Sequence, residues 1–225
     1  MTTKSFVSPK GVAVFPHLTV ADTKFKKEGE YHVKVRYSKD DAEEYAKAEA
    51  LVQEIDAFAA EYLKQTIEKE KDPKKRKAIK LCDDMPYSID EETGDISLSF
   101  KMKASGEDSK GNKWTRRPAL FGADGKPLAD DVKIGGGSII KVSYGNKPKD
   151  GPFQPFFGWF ANAKVGVTVT LRMIAVQVLE LRAFERDASG YGFQNEAAEN
   201  SEESTEETSD EETTEEDTEA SDGDF

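Results

Sequence analysis

The sequence has few of the residues that most metal sites and disulfide-stapled folds depend on. Among 225 residues there is one cysteine, Cys82, and there are two histidines, His17 and His32. A single cysteine excludes an internal disulfide, which is typical of a reducing compartment. One cysteine and two histidines also fall short of the four ligands of a structural Cys/His zinc site. We therefore expect no metal and no other cofactor.

Long hydrophobic runs are also missing. No apolar stretch approaches the roughly 18 residues that a membrane-spanning helix needs, and the N-terminus has no apolar segment of the kind found in secretion signals. These absences predict a cytoplasmic protein without a membrane segment.

Recognisable catalytic motifs are absent as well. The acidic pairs at 83–84 and 130–131 are neighbours in sequence, so on a strand they would point to opposite faces and would not share one metal ion. Gly135-Gly136-Gly137 precedes a strand and not a helix, unlike a phosphate-binding loop. We expect no enzyme, and a metal-dependent nuclease is the least favoured alternative.

Basic residues are missing from the C-terminal part of the chain. No lysine or arginine follows Arg186, whereas residues 188–225 hold 15 acidic residues and residues 1–187 hold 32 basic against 29 acidic ones. Such a segment has little to bury and repels itself. The sequence thus predicts a folded domain at 1–187 and a disordered acidic tail at 188–225. The aromatic Phe225 in this tail does not serve solubility and predicts a hydrophobic anchor.

Within the domain, alternation of apolar and polar residues predicts strands at 30–37, 95–103, 140–144 and 165–182. In the last of these the apolar positions change parity after Met173. A change of this kind indicates a β-bulge or bend of the sort that curls a sheet into a barrel.

One long helix is predicted at about 40–71, between the first two of these strands, from an apolar face that includes Leu51, Ile55, Phe58 and Tyr62. Short strands and one inserted helix favour a mainly β protein with an OB-fold-like, five-stranded Greek-key barrel. A β-sandwich with an inserted helix is the alternative.

Basic and aromatic residues form the pattern with the clearest functional meaning. Lysines and arginines alternate on the outward faces of the predicted strands, and 153–160 contains five aromatic residues. Proteins that hold single-stranded nucleic acid combine a positive groove for phosphates with rings on which bases stack. The predicted DNA-binding residues are Lys34, Arg36, Lys101, Lys103, Trp114, Arg116, Lys141, Tyr144, Phe156, Phe157 and Trp159. The alternative is a protein-interaction module in which the lysines are only solvated.

The tail suggests a self-competing system. A tethered polyanion with Asp222, Asp224 and Phe225 can compete with DNA phosphates for a positive groove, because a tether holds it at about millimolar effective concentration. Bound DNA would release the tail for other proteins.

Several segments resemble one known family. They are Asp-Met-Pro at 84–86, the Gly-Gly-Gly-Ser segment at 132–138, the strands at 140–144 and 165–184, and Asp-Gly-Asp-Phe at 222–225. Together they resemble the single-stranded DNA-binding proteins of short-tailed bacteriophages with the T-odd type of replisome.

This resemblance implies an OB-fold with a helix inserted among its strands. It implies a homodimer that coats single-stranded DNA during phage replication, recombination and repair in the infected bacterial cell. It also implies that the tail with Phe225 contacts the phage DNA polymerase and helicase–primase. Finally, it implies base stacking by an aromatic residue around Phe157 and Trp159.

Overall fold

The computed structural model describes residues 5–148, 151–160, 162 and 164–182. The described residues form two helices and eleven strands, which are named in chain order. The helices are α1 (Ala42–Lys69) and α2 (Pro73–Ala78). The strands are β1 (Phe6–Val7), β2 (Gly11–Asp22), β3 (Glu30–Tyr37), β4 (Tyr87–Ile89), β5 (Ile96–Lys103), β6 (Ser105–Glu107), β7 (Lys113–Thr115), β8 (Ala119–Phe121), β9 (Ile139–Tyr144), β10 (Phe157–Phe160) and β11 (Val167–Glu180).

Five strands close into a barrel in the order β2, β3, β5, β11, β9 and back to β2. All neighbours are antiparallel except β5 and β11, which pair in parallel. This arrangement confirms the OB-fold-like barrel and excludes the sandwich alternative. Strands β1, β4, β8 and β10 extend the barrel at its edges, and β6 and β7 form a separate hairpin.

The first barrel strand, β2, was not predicted from the sequence. Its buried residues Ala13 and Leu18 have opposite parity, so the strand lacks continuous alternation. The cause is an irregular register with β3 between Val14 and His17, beside Phe15, whose φ of 47° lies in the left-handed region. A bulged strand of this kind escapes a period-two pattern.

The inward residues of the barrel form one core. Phe100 is fully buried, and its ring centroid lies 5.5 Å from that of Tyr144. In β11 the buried positions shift parity between Met173 and Val176, where the register with β9 is irregular between Met173 and Ala175. The bulge predicted from the parity change is therefore confirmed.

Helix α1 covers the barrel with its apolar face, and Ile55 is fully buried in the same core. Its N-cap is Asp41, whose side chain accepts a hydrogen bond from the Glu44 N–H; this satisfies one of the unpaired donors of the first turn. Pro73 begins the short α2, whose N-cap is Asp72. In the described part of the chain neither helix is apolar over a length that would cross a bilayer.

Candidate nucleic-acid interface

A groove of about 710 Å³ lies on the outer face of three adjacent strands, β5, β11 and β10. The β6–β7 hairpin borders it with Trp114, and the segment at 84–86 borders it as well. The Thr168 hydroxyl of β11 donates to the Asp84 carbonyl oxygen at 3.1 Å. This hydrogen bond fixes the segment at 84–86 to strand β11, which forms the floor of the groove. The groove is thus built on rigid paired strands.

Successive residues of strand β10 point to opposite faces. Phe157 and Trp159 point into the groove, while Gly158 between them faces α1. A Cβ atom at Gly158 would lie 2.7 Å from the Tyr62 ring, closer than such atoms approach. Glycine therefore lets α1 contact the back of the strand whose front carries the two rings.

Arg172 of β11 covers the Phe157 ring. Its guanidinium carbon lies 3.3 Å from the ring centroid, a cation–π contact, and its Nη1 donates to Asn146 Oδ1 at 2.7 Å. Partial burial, together with the charge of Arg116, lowers the pKa of Arg172, but an arginine remains protonated in proteins. The groove floor therefore holds a fixed positive charge beside an aromatic ring.

A second pair of the same type stands on the β6–β7 hairpin. The guanidinium carbon of Arg116 lies 3.9 Å from the Trp114 ring centroid. The indole packs over Gly106 of the paired strand, where an added Cβ would lie 2.4 Å from the ring. The missing side chain at Gly106 thus positions Trp114, and Trp114 positions Arg116.

Trp159 differs from the other two rings. It is 39% exposed, and among the described residues no cation or ring stacks on it. Of the three groove rings it presents the most accessible face to a ligand.

The groove lining has an excess of positive charge. Its only acidic side chains among the described residues are Glu30 and Asp84, and Glu30 forms an ion pair with Lys26. The five cationic residues that line it are Lys26, Lys101, Lys103, Arg116 and Arg172.

Six of the eleven predicted DNA-binding residues line this groove, and three more lie on the outer surface away from it. The six are Lys101, Lys103, Trp114, Arg116, Phe157 and Trp159. The three are Lys34, Arg36 and Lys141, which do not line the groove. Arg36 forms an ion pair with Asp95, with 3.8 Å between Nε and Oδ2. Whether any of these residues contacts DNA stays a prediction.

Tyr144 and Phe156 require a correction. They are only 4% and 3% exposed, and Phe156 packs against Phe58 of α1 with ring centroids 5.4 Å apart. Burial raises the pKa of Tyr144 to about 12, and the charge of Glu54 adds to the effect. Both rings belong to the hydrophobic core, where no base can stack on them.

The sequence analysis missed two cations of the groove. Arg172 occupies the outward parity of β11, so the alternation that identified the lysines of β5 would also have found it. Lys26 lies between β2 and β3, and only the tertiary structure brings it to the groove. The predicted tail residues Asp222, Asp224 and Phe225 lie outside the described residues, as does the predicted domain boundary at residue 187.

Comparison with known proteins gives concordant results. The model of the family described as "Single-stranded DNA-binding protein, Bacteriophage T7" matches residues 11–181. The chain is 36% identical over 103 residues to the single-stranded DNA-binding protein of Escherichia phage T7. This matched region covers 45% of this chain and 39% of that protein. The chain thus matches less than half the length of this curated relative. It also resembles the crystal structure of gp2.5, a single-stranded DNA-binding protein encoded by bacteriophage T7, with a TM-score of 0.65, 25% identity, and coverage of 92% of this chain and 100% of that one.

Proposed function

Because the chain belongs to the family of single-stranded DNA-binding proteins described for bacteriophage T7, we propose that it binds single-stranded DNA in the groove on strands β5, β11 and β10. The observation that supports this proposal most directly is the joint presence there of three aromatic rings and five cationic side chains. The family consists of binding proteins and not of enzymes, in agreement with the lack of catalytic motifs.

The groove offers both contacts that an unpaired strand needs. Lysine and arginine side chains neutralise phosphates and release counterions. An exposed aromatic ring can stack on any base, and each such stack contributes about 1–3 kcal/mol to the binding free energy. Lys101 of β5 and Arg172 of β11 are register partners, so their charges lie side by side across the floor. Phosphates passing over them would leave bases free to reach Trp159.

A titration with oligo-dT tests the proposal. Both tryptophans of the chain, Trp114 and Trp159, line the groove, so intrinsic tryptophan fluorescence should change as DNA binds. The affinity should fall with salt, with a log–log slope of about −0.7 per phosphate neutralised. No fluorescence change and no salt-dependent binding would contradict the proposal and favour the protein-interaction module.

Matched lysine variants locate the site. Lys101→Ala should weaken binding and make the salt slope shallower by about 0.7. Lys126→Ala, which removes an exposed lysine outside the groove, should leave the slope unchanged. Lys141→Ala distinguishes the groove from the wider outer surface, since it affects binding only if DNA also contacts β9.

The replisome roles extend this proposal. We expect the protein to coat single-stranded DNA in phage replication, recombination and repair, inside the infected host cell and as a homodimer. Size-exclusion chromatography with light scattering tests the dimer. A monomer at micromolar protein concentration would contradict the proposed homodimer but not the proposed DNA binding.

The acidic tail carries the proposed partner recruitment. Its charge is opposite in sign to that of the groove lining, which supports competition between the tail and DNA phosphates. Asp222, Asp224 and Phe225 are the residues that we expect to contact the phage polymerase and helicase–primase. A pull-down of each enzyme after nuclease treatment, with the intact chain and with Phe225→Ala, tests this recruitment.

A further inference from the structure

The two histidines of the chain meet on the β2–β3 hairpin, outside the groove. His17 and His32 are register partners across the two strands, and their ring centroids lie 4.7 Å apart. They are the only histidines in the sequence. Two imidazoles at this separation can bind one cation through a nitrogen of each ring.

An irregular strand adds a carboxylate to the pair. Asp22 is five residues from His17, so in a regular strand the two would point to opposite faces. The register with β3 shifts between these residues, so that Asp22 pairs with Glu30, two residues from His32. Its Oδ2 lies 3.5 Å from His32 Nε2. The strand irregularity thus places all three side chains on one face.

The three potential ligand atoms lie within 4.8 Å of one another. In a tetrahedral zinc site with ligand bonds of 2.0–2.1 Å, neighbouring ligand atoms are about 3.3 Å apart, so small side-chain rotations suffice. The Lys24 N–H donates to Asp22 Oδ1 at 2.8 Å, and a hydrogen bond of this kind orients a carboxylate that binds a metal ion. His17 is exposed, so one side of the cluster is open to water or a further ligand.

We propose that His17, Asp22 and His32 form a binding site for a late first-row divalent cation of the zinc class. Two imidazoles and one carboxylate are a ligand set used for zinc with a fourth, open position. The cysteine and histidine residues of this chain are too few for a zinc site made of those residue types alone. Asp22 supplies a third ligand beside the two histidines. The site borders the groove, because His32 is also the register partner of Lys101.

Titration of the full-length, tag-free chain with Co²⁺ tests this site directly. The titration is done without DNA, so its outcome is independent of the proposed function, and with excess Mg²⁺ to occupy acidic clusters that prefer hard cations. We expect one equivalent of Co²⁺ to bind with visible d–d absorption and to be displaced by Zn²⁺. His17→Ala, His32→Ala and Asp22→Asn should each weaken binding at least about tenfold.

Two control variants define the result. Cys82→Ser removes the only thiol and Asp124→Asn removes an exposed carboxylate elsewhere, and both should bind Co²⁺ as the unaltered chain does. Circular dichroism shows whether each variant is folded, and His17→Gln gives a second substitution at the most exposed ligand. The absence of one-equivalent binding by the unaltered chain would overturn the proposal, as would unchanged binding in the folded histidine variants.

Discussion

The aromatic side chains of the groove have two different environments. Trp114 and Phe157 are each covered by an arginine, at 3.9 and 3.3 Å from the ring centroid, whereas Trp159 is exposed. A ring beneath a guanidinium holds that charge in place, so in the proposed DNA complex the first two rings position cations for phosphates. The open ring is then the one available to a base.

We predict that Trp159→Ala weakens oligo-dT binding by about 1–3 kcal/mol, the value of one base stack. Phe15→Ala is the control, because Phe15 is an aromatic residue that is 78% exposed and does not line the groove. Fluorescence anisotropy with labelled oligo-dT measures both. Equal effects of the two substitutions would show that Trp159 has no special role.

Tyr144 has a role in stability. Its pKa rises to about 12 in the folded chain, against about 10 when unfolded, because burial favours the neutral phenol. A raised pKa means that the phenol's contribution to the free energy of unfolding is complete below pH 10 and is lost as the pH rises towards 12.

Accordingly, the free energy of unfolding should decline above pH 10, and Tyr144→Phe should make this decline shallower. Urea denaturation at several pH values between 8 and 11.5 measures it. An identical decline in Tyr144→Phe would show that Tyr144 does not contribute.

At the level of elements, α1 and β10 form one unit behind the groove. The ring centroids of Phe58 and Phe156 lie 5.4 Å apart, and Gly158 lets Tyr62 contact the backbone of β10. The helix thus supports the strand that carries Phe157 and Trp159. Helix α1 therefore both contributes to the barrel core and packs against β10.

Gly158→Ala should therefore destabilise the protein by about 1–3 kcal/mol through overpacking and weaken oligo-dT binding by displacing β10. The loss should be smaller in a Tyr62→Ala background, where the clash is removed, and a double-mutant cycle from denaturation curves measures this coupling.

Gly136→Ala is the matched control, since an added Cβ there would approach only the Ala13 carbonyl oxygen, at 3.9 Å. Additive effects of Gly158→Ala and Tyr62→Ala would contradict the proposed contact.

For the whole molecule, the separation of charge is the dominant feature. All 32 basic residues lie at or before Arg186, and 15 acidic residues follow Asp187. Attraction between a cationic groove and a tethered polyanion acts at low ionic strength and is screened within about 10 Å at 0.1 M salt. Any competition between tail and DNA must share this salt dependence.

We predict that deletion of residues 194–225 tightens oligo-dT binding, with the largest gain at low salt. A chain of the same length in which the tail acids are replaced by their amides should behave like the deletion, because charge and not mass competes. Anisotropy titrations across a salt series measure the gain. Unchanged or weaker binding of the deleted chain at low salt would remove the tail from the mechanism.

The elements that the sequence predicted well are those with unbroken periodicity. Strands β3, β5 and β9 and helix α1 have regular apolar faces, and the parity change in β11 correctly indicated its bulge. Strand β2 escaped prediction because its alternation is broken. Tyr144 and Phe156 were wrongly placed among the DNA contacts, because an aromatic residue has the same appearance in a sequence whether it lies in a core or in a groove.

The order of residues was enough to establish the mainly β class, the inserted helix, the division of charge and the likeness to phage single-stranded DNA-binding proteins, because periodicity, composition and motifs are local properties of a chain. It did not establish which lysines and rings share a surface, or that His17, Asp22 and His32 converge. Those relationships depend on strand register and barrel closure, which bring together residues from distant parts of the chain.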